Sequence, residues 1–166
     1  MTRLAERAER IRLALFDVDG VMTDGRLYIG PGGVEMKAFH VRDGHGLRRL
    51  MAAGIEVGVI SGRPSEAARA RLHDLGVAHV FLAARDKGTV LDRLLTQMDL
   101  QPEQVAFMGD DHPDLGIMQR VGLALTVADA HASVLARAHW VSALPGGQGA
   151  VREACDWLLR QQGRRP

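Results

Sequence analysis

Cysteine occurs once in the 166 residues, as Cys155, which rules out an intrachain disulfide framework and a cysteine-based zinc site and fits a reducing compartment. Long apolar runs are missing too. No stretch approaches the ~20 residues of a membrane helix, and Met1 to Arg12 alternates charges with Ala and Leu, without the apolar centre of a signal peptide. A cytoplasmic, soluble chain with no membrane partner is therefore expected. Charge of one sign is not in excess either: 21 basic and 20 acidic residues nearly cancel and form no like-charged run, so nothing calls for nucleic acid or an anionic surface. The Arg-rich ends read as solvated tails. Repeats and low-complexity tracts are absent. With 46% hydrophobic and 25% charged residues, the length suits one sizeable core and falls short of two ordinary domains, so residues 1–166 are expected to form a single domain.

What is present is an alternation. Short apolar runs at Leu13–Phe16, Ile55–Ile60, His79–Leu82, Gln104–Met108 and Leu123–Val127 read as buried parallel strands. Between or after them, Gly46–Ala53, Pro64–Leu75, Lys87–Met98, Pro113–Val121 and His131–Ala138 have helical spacing, with start signals at Asp43, Pro64, Asp86, Pro113 and Asp129. This order predicts an α/β fold, a doubly wound, Rossmann-like parallel sheet with right-handed crossovers and ligands beyond the carboxyl ends of its strands. One segment breaks the rhythm: Leu27–Ile29 and Val34–Lys37 flank Gly30-Pro31-Gly32-Gly33, predicting a β-hairpin flap over about 26–38. It is too small to be a cap domain. Near the end, a Gly-rich stretch from about residue 145, Gly146 to Gly149, leads into a helix ending near 160; it reads as a hinge or as a loop approaching an anion.

The residues with chemical potential fall at the strand ends. Asp17-Val18-Asp19-Gly20 follows the first strand, and such a carboxylate pair offers oxygen ligands to Mg²⁺, with one carboxylate placed to attack phosphorus and its neighbour to protonate a leaving oxygen. Taken alone, an Asp-rich turn is an ordinary way to leave a strand. After the second main strand, Ser61-Gly62-Arg63-Pro64 combines a hydroxyl, free N–H groups and a helix start, which suits phosphate as well as it suits a plain cap. Lys87 opens a helix, where its charge opposes the macrodipole unless an anion is near. Gly109-Asp110-Asp111-His112-Pro113-Asp114 crowds three carboxylates that repel one another without a cation.

This order, D-x-D-G, S-G-R, K, then G-D-D-x-x-D, resembles the four motifs of the haloacid dehalogenase superfamily. Phe16–Thr23, Lys37–Gly44, Val127–His131 and Gly146–Glu153 look like its small capless branch, the one containing the 3-deoxy-D-manno-octulosonate 8-phosphate phosphatases, and the likeness runs from about Leu13 to Leu159. The resemblance implies a Mg²⁺-dependent phosphatase acting on a small sugar-acid phosphate in lipopolysaccharide precursor synthesis. It makes Asp17 the nucleophile that becomes an aspartyl-phosphate, and Asp19 the acid and then the base. Asp17, the Asp19 carbonyl and Asp110 would hold the metal, with Asp111 acting through water. Ser61 and Lys87 would bind phosphate, and Gly62 and Arg63 the sugar acid. Related nonulosonate phosphatases carry glutamate where Arg63 stands, so Arg63 favours the octulosonate. The branch also implies a homotetramer in which hairpin and tail help enclose a neighbour's site. Departures are Leu82-Ala83-Ala84, which lacks an expected glutamine-glycine pair, and His40 and His112, which replace commoner residues.

Other readings stay open. A nonulosonate or broad sugar phosphatase, or a non-catalytic oligomerisation module of the same fold, fits the same pattern, though the module can lose its acid Asp and this chain keeps Asp19. A phosphoacceptor receiver domain needs a lone Asp after the third strand, and none ends His79–Leu82. The seven histidines lack H-x-x-x-H or helical E-x-x-H spacing and read as surface or satisfied core residues, with His112 alone placed to touch the site. Trp140 and Trp157 read as core or interface anchors.

Overall fold

The computed structural model describes residues 4–165. In chain order it contains α1 (Leu4–Glu9), β1 (Leu13–Phe16), β2 (Tyr28–Ile29), β3 (Glu35–Met36), α2 (Val41–Ala52), β4 (Glu56–Ile60), α3 (Glu66–Leu75), β5 (His79–Phe81), α4 (Lys87–Met98), β6 (Val105–Met108), α5 (Leu115–Met118), β7 (Leu123–Thr126), α6 (Ala132–Leu135), β8 (Trp140–Val141) and α7 (Ala150–Gln161). Six strands form one sheet in the order β5-β4-β1-β6-β7-β8, every pair parallel, and β2 and β3 form the antiparallel hairpin. Strands β1, β6 and β7 are buried along their whole length, as expected of strands covered on both faces. Right-handed crossovers place α2 and α3 on one face and α4, α5 and α6 on the other. Accordingly, α7 packs against α2 and α1, while α4 packs against α5. No helix among the described residues is long and apolar enough to cross a membrane.

The register fixes where the site lies. Phe16 pairs with Val59 and Met108, and Ile60 with Phe81, so the chain leaves β1, β4, β5 and β6 at one common edge. Between β1 and β6 the winding changes direction, which opens a crevice there. Backbone bonds carry the alignment one residue further, from Asp17 N–H to Met108 O at 2.9 Å and from Ser61 N–H to Phe81 O at 2.9 Å.

Several local readings need correction. The N-terminal segment is not a solvated tail: Ala8 and Ile11 are fully buried, Arg7 Nη1 donates to Gly122 O at 2.6 Å, and Gln162 Nε2 bonds the carbonyls of Ala8 and Ile11. Met1 to Arg3 and Pro166, at the outermost ends of those tails, lie outside the described residues. Helix α2 starts at Val41, capped by His40, so Asp43 does not cap it; Asp43 is buried and accepts from Arg152 N–H at the start of α7. Ser65 rather than Pro64 precedes α3, and His131 rather than Asp129 caps α6, which spans only four residues. Asp129 instead accepts from Gly146 N–H at 2.9 Å. Residues 112–114 form a 3₁₀ turn before the short α5, and the short edge strand β8 was not foreseen. Asp86 caps α4 as expected. Trp140 and Trp157 stack with ring centroids 5.4 Å apart against the core.

The Gly-rich stretch is packed rather than free. A Cβ on Gly146 would stand 1.9 Å from Gly20 O, and Gly147 N–H donates to Val21 O at 3.0 Å. This loop therefore backs the turn that follows β1.

Candidate active site

The four strand ends meet in a cleft of about 300 Å³ lined by Asp17, Asp19, Ser61, Lys87 and Asp110, with Asp111, Gly62 and Arg63 on the same lining. All eight residues singled out in the sequence are thus brought together. The expectation that Lys87 needs an anion is met twice. Its Nζ lies 2.7 Å from Asp17 Oδ2 and 2.6 Å from Asp114 Oδ1, with the Lys87 side chain 3% exposed and that of Asp114 1%. Burial works against the Lys87 ammonium, but the charges and hydrogen bonds of Asp17 and Asp114 together outweigh it and hold the group above its ordinary titration range.

Asp114 is the residue that sequence reasoning left without a role, although it closes the G-D-D-x-x-D motif. Its Oδ2 accepts from the N–H groups of Asp110 and Asp111, at 2.9 and 3.3 Å, while its Oδ1 holds Lys87. It ties the loop after β6 to the helix after β5 and fixes Lys87 beside Asp17.

Asp17, Asp110 and Asp114 each offer an oxygen within 4.8 Å of the others. Burial foremost, then the Asp114 charge, pushes Asp17 up to about 6, with Lys87 working in the opposite direction. Burial, followed by Asp114, Asp17 and Asp111, pushes Asp110 up to about 8. Both carboxyls are therefore short of positive charge. The approach of Asp110 to the loop after β1 depends on Gly20, whose φ is +83° and whose missing Cβ would fall 2.1 Å from Asp110 Oδ2.

Asp19 turns the other way. Its carboxylate meets Lys37 through one oxygen and Arg63 Nε at 3.6 Å through the other. Lys37, with a side chain 1% exposed, also lies 3.2 Å from Glu35 Oε1, and Arg63 Nη2 donates to Glu35 Oε2 at 2.5 Å. The hairpin thus contributes Glu35, with Lys37 just beyond it, to a charge network around Asp19. Neither residue was singled out from the sequence, since a lone Glu and Lys at a strand end look like solvated charges. Arg63 is half exposed and already engaged rather than free. Ser61 is buried, with Oγ accepting from Arg63 N–H at 3.4 Å, and Gly62 has no neighbour closer than 3.9 Å to a notional Cβ. Asp111 is exposed and caps the 3₁₀ turn through His112 N–H at 2.7 Å. His112 does touch the site, through Asp111.

Known proteins resemble this chain over nearly its whole length. Residues 79–151 match the haloacid dehalogenase-like hydrolase family. The 3-deoxy-D-manno-octulosonate 8-phosphate phosphatase of Yersinia pestis is 47% identical over 157 residues, 95% of this chain and 84% of that one. Its counterpart in Escherichia coli K12 is 45% identical over 158 residues, with the same coverage. Among solved structures, the Yersinia pestis phosphatase superposes with a TM-score of 0.95 at 46% identity, over 97% of this chain and 87% of that one. The Moraxella catarrhalis enzyme, in complex with a magnesium ion, a phosphate ion and a KDO molecule, superposes with a TM-score of 0.94 at 34% identity, over 96% and 92%.

Proposed function

The chain belongs to the family of the 3-deoxy-D-manno-octulosonate 8-phosphate phosphatases, within the haloacid dehalogenase-like hydrolases, and from that premise we propose that it hydrolyses 3-deoxy-D-manno-octulosonate 8-phosphate through an aspartyl-phosphate at Asp17 with Mg²⁺ bound. The observation that carries this reading is the placement of Asp17, between buried Lys87 at 2.7 Å and the carboxylate of Asp110, in a cleft that Ser61 also lines.

The donor set fits a hard divalent ion: clustered carboxylate oxygens, two of them on groups whose burial and mutual repulsion call for added positive charge. Asp17 and Asp110 would hold it with the Asp19 carbonyl, and Asp111 would act through water. Bound there, the metal supplies charge neutralisation and polarises the phosphoryl oxygens. The protein's own residues do the rest. Ser61 and Lys87 hold the phosphoryl oxygens and take up charge as it develops. An Asp17 oxygen bonds to phosphorus as the bond from phosphorus to the sugar oxygen breaks, and Asp19 gives that oxygen its proton. Asp19 then takes a proton from a water whose oxygen bonds to phosphorus. The aspartyl P–O bond breaks, and phosphate leaves with Asp17 restored.

Lys37 and Arg63 fix the Asp19 carboxylate at the rim between hairpin and cleft. Arg63 reads as the partner of the sugar carboxylate, exchanging Glu35 for it, and Gly62 leaves room beside the phosphate. A homotetramer belongs to the same proposal. Leu27, Tyr28, Ile29, Val34 and Met36 are exposed around the hairpin, an apolar strip that a second subunit would cover.

The test is phosphate release across a panel of sugar phosphates, including the octulosonate 8-phosphate and a nonulosonate 9-phosphate, with Mg²⁺ and with chelator. Mg²⁺-dependent preference for the octulosonate is expected. Asp17→Asn should abolish release while leaving the fold and, through the remaining amide oxygen, Mg²⁺ binding largely intact, and full activity in that variant removes the nucleophile. A flat, metal-dependent profile cancels the substrate and keeps the chemistry.

A further inference from the structure

Beside the carboxylate cluster lies a second group of ligating side chains with different chemistry. Asp111, His112 and His131 each offer one ligand atom, and these atoms lie within 4.8 Å of one another. His112 Nδ1 is 3.2 Å from Asp111 Oδ1. The two imidazole rings meet with centroids 4.3 Å apart at 47°. Both turn a ring edge toward the Ser133 hydroxyl, which is 2.8 Å from His131 Nδ1 and 3.4 Å from His112 Nε2.

Two different loops bring these residues together. His112 sits in the 3₁₀ turn after β6, and His131 caps α6 after β7. The loops are bonded to each other, since His131 N–H donates to Asp110 O at 2.9 Å. Little ordering is therefore left to a ligand that bridges them. All three side chains are exposed, so an ion can enter and keep waters on its open positions.

We propose that Asp111, His112 and His131 form a binding site for a borderline transition-metal cation such as Zn²⁺ or Ni²⁺, adjoining the oxygen-lined Mg²⁺ site, whose ion Asp111 would reach only through water. Imidazole nitrogens suit such ions, whereas Mg²⁺ favours oxygen and parts reluctantly with its waters. One edge of the molecule then offers two neighbouring sites that select ions by ligand type.

The test uses the full chain without a histidine tag, saturated with Mg²⁺ and titrated with Ni²⁺ in a calorimeter. Wild type is expected to bind one Ni²⁺. His112→Ala and His131→Ala should each bind at least about tenfold more weakly, a ligand counting for no less than an outer-shell partner. His73→Ala, an exposed histidine on α3, should match wild type. NMR of the wild type gives a reading independent of the variants: substoichiometric Ni²⁺ should broaden the ring signals of His112 and His131 first. Absence of Ni²⁺ binding under saturating Mg²⁺, binding unchanged in both variants, or even broadening over all histidines overturns the site.

Discussion

Asp110→Asn is expected to make the metal-free protein more stable while removing its response to Mg²⁺. In the folded chain Asp110 titrates at about 8, against 3.8 for an unperturbed aspartate. Between those two values the folded state holds more protons than the unfolded state, so stability falls as pH rises through the window and levels off above about 8. Each pH unit weighs about 1.4 kcal/mol, and by pH 7 the cost of burying this carboxyl among Asp17, Asp111 and Asp114 reaches about 4 kcal/mol. Asparagine keeps the shape and cannot ionise. A gain of about 2–4 kcal/mol follows at pH 7, which for a chain of this size is a rise of roughly 4–16 °C in Tm.

Thermal unfolding in chelator, from pH 5 to pH 8.5, measures this directly. The wild-type Tm should decline as pH rises, and the variant should decline less, having lost the Asp110 contribution while retaining that of Asp17, which has the same sign and ends near pH 6. Added Mg²⁺ at a hundred times its Kd should stabilise wild type by about 2.7 kcal/mol and the variant far less. A variant less stable than wild type in chelator, or one with an undiminished Mg²⁺ response, refutes the assignment of Asp110 to a cation site.

Asp114→Ala removes one of the two anions holding buried Lys87 and leaves Asp110 and Asp111 N–H without their shared acceptor. A loss of about 3–5 kcal/mol is expected from urea unfolding, together with a large fall in kcat. Gly146→Ala should cost about 1–3 kcal/mol by forcing the turn after β1 aside and should lower activity with it; Gly116→Ala, with nothing within 4 Å of its Cβ, should be near neutral on both counts. Phosphate and vanadate should bind only when Mg²⁺ is present, as a carboxyl cluster with a single ammonium, itself already paired with Asp17 and Asp114, otherwise faces the anion. Binding of equal strength in chelator, measured by calorimetry, contradicts that order.

The centre of the parallel sheet was legible because β1 and β6 are apolar throughout and run into Asp17 and Gly109, a pattern that burial on both faces imposes. Segments whose identity comes from tertiary contact were not. Helix α1 is too short to reveal itself by period, and it is held by Arg7 reaching Gly122 and by burial of Ala8 and Ile11. Asp43 looks like a cap for its own helix and in fact caps α7, more than a hundred residues away, a pairing that no local rule contains.

The site divides along the same line. Asp17, Ser61, Lys87 and Asp110 stand within a few residues of strand ends, so topology alone delivers them to one crevice, and the cost of Lys87 at a helix start already implied a neighbouring anion. Asp114 escaped because its task is to satisfy a lysine from another loop and two N–H groups of its own. Glu35 and Lys37 escaped because their partners, Asp19 and Arg63, become neighbours only when the hairpin packs beside them. Residues that meet a substrate at a strand end can be read from the order of the chain. Those that hold such residues in place depend on which loops touch, and this chain places that layer on the hairpin and on the turn closed by Asp114.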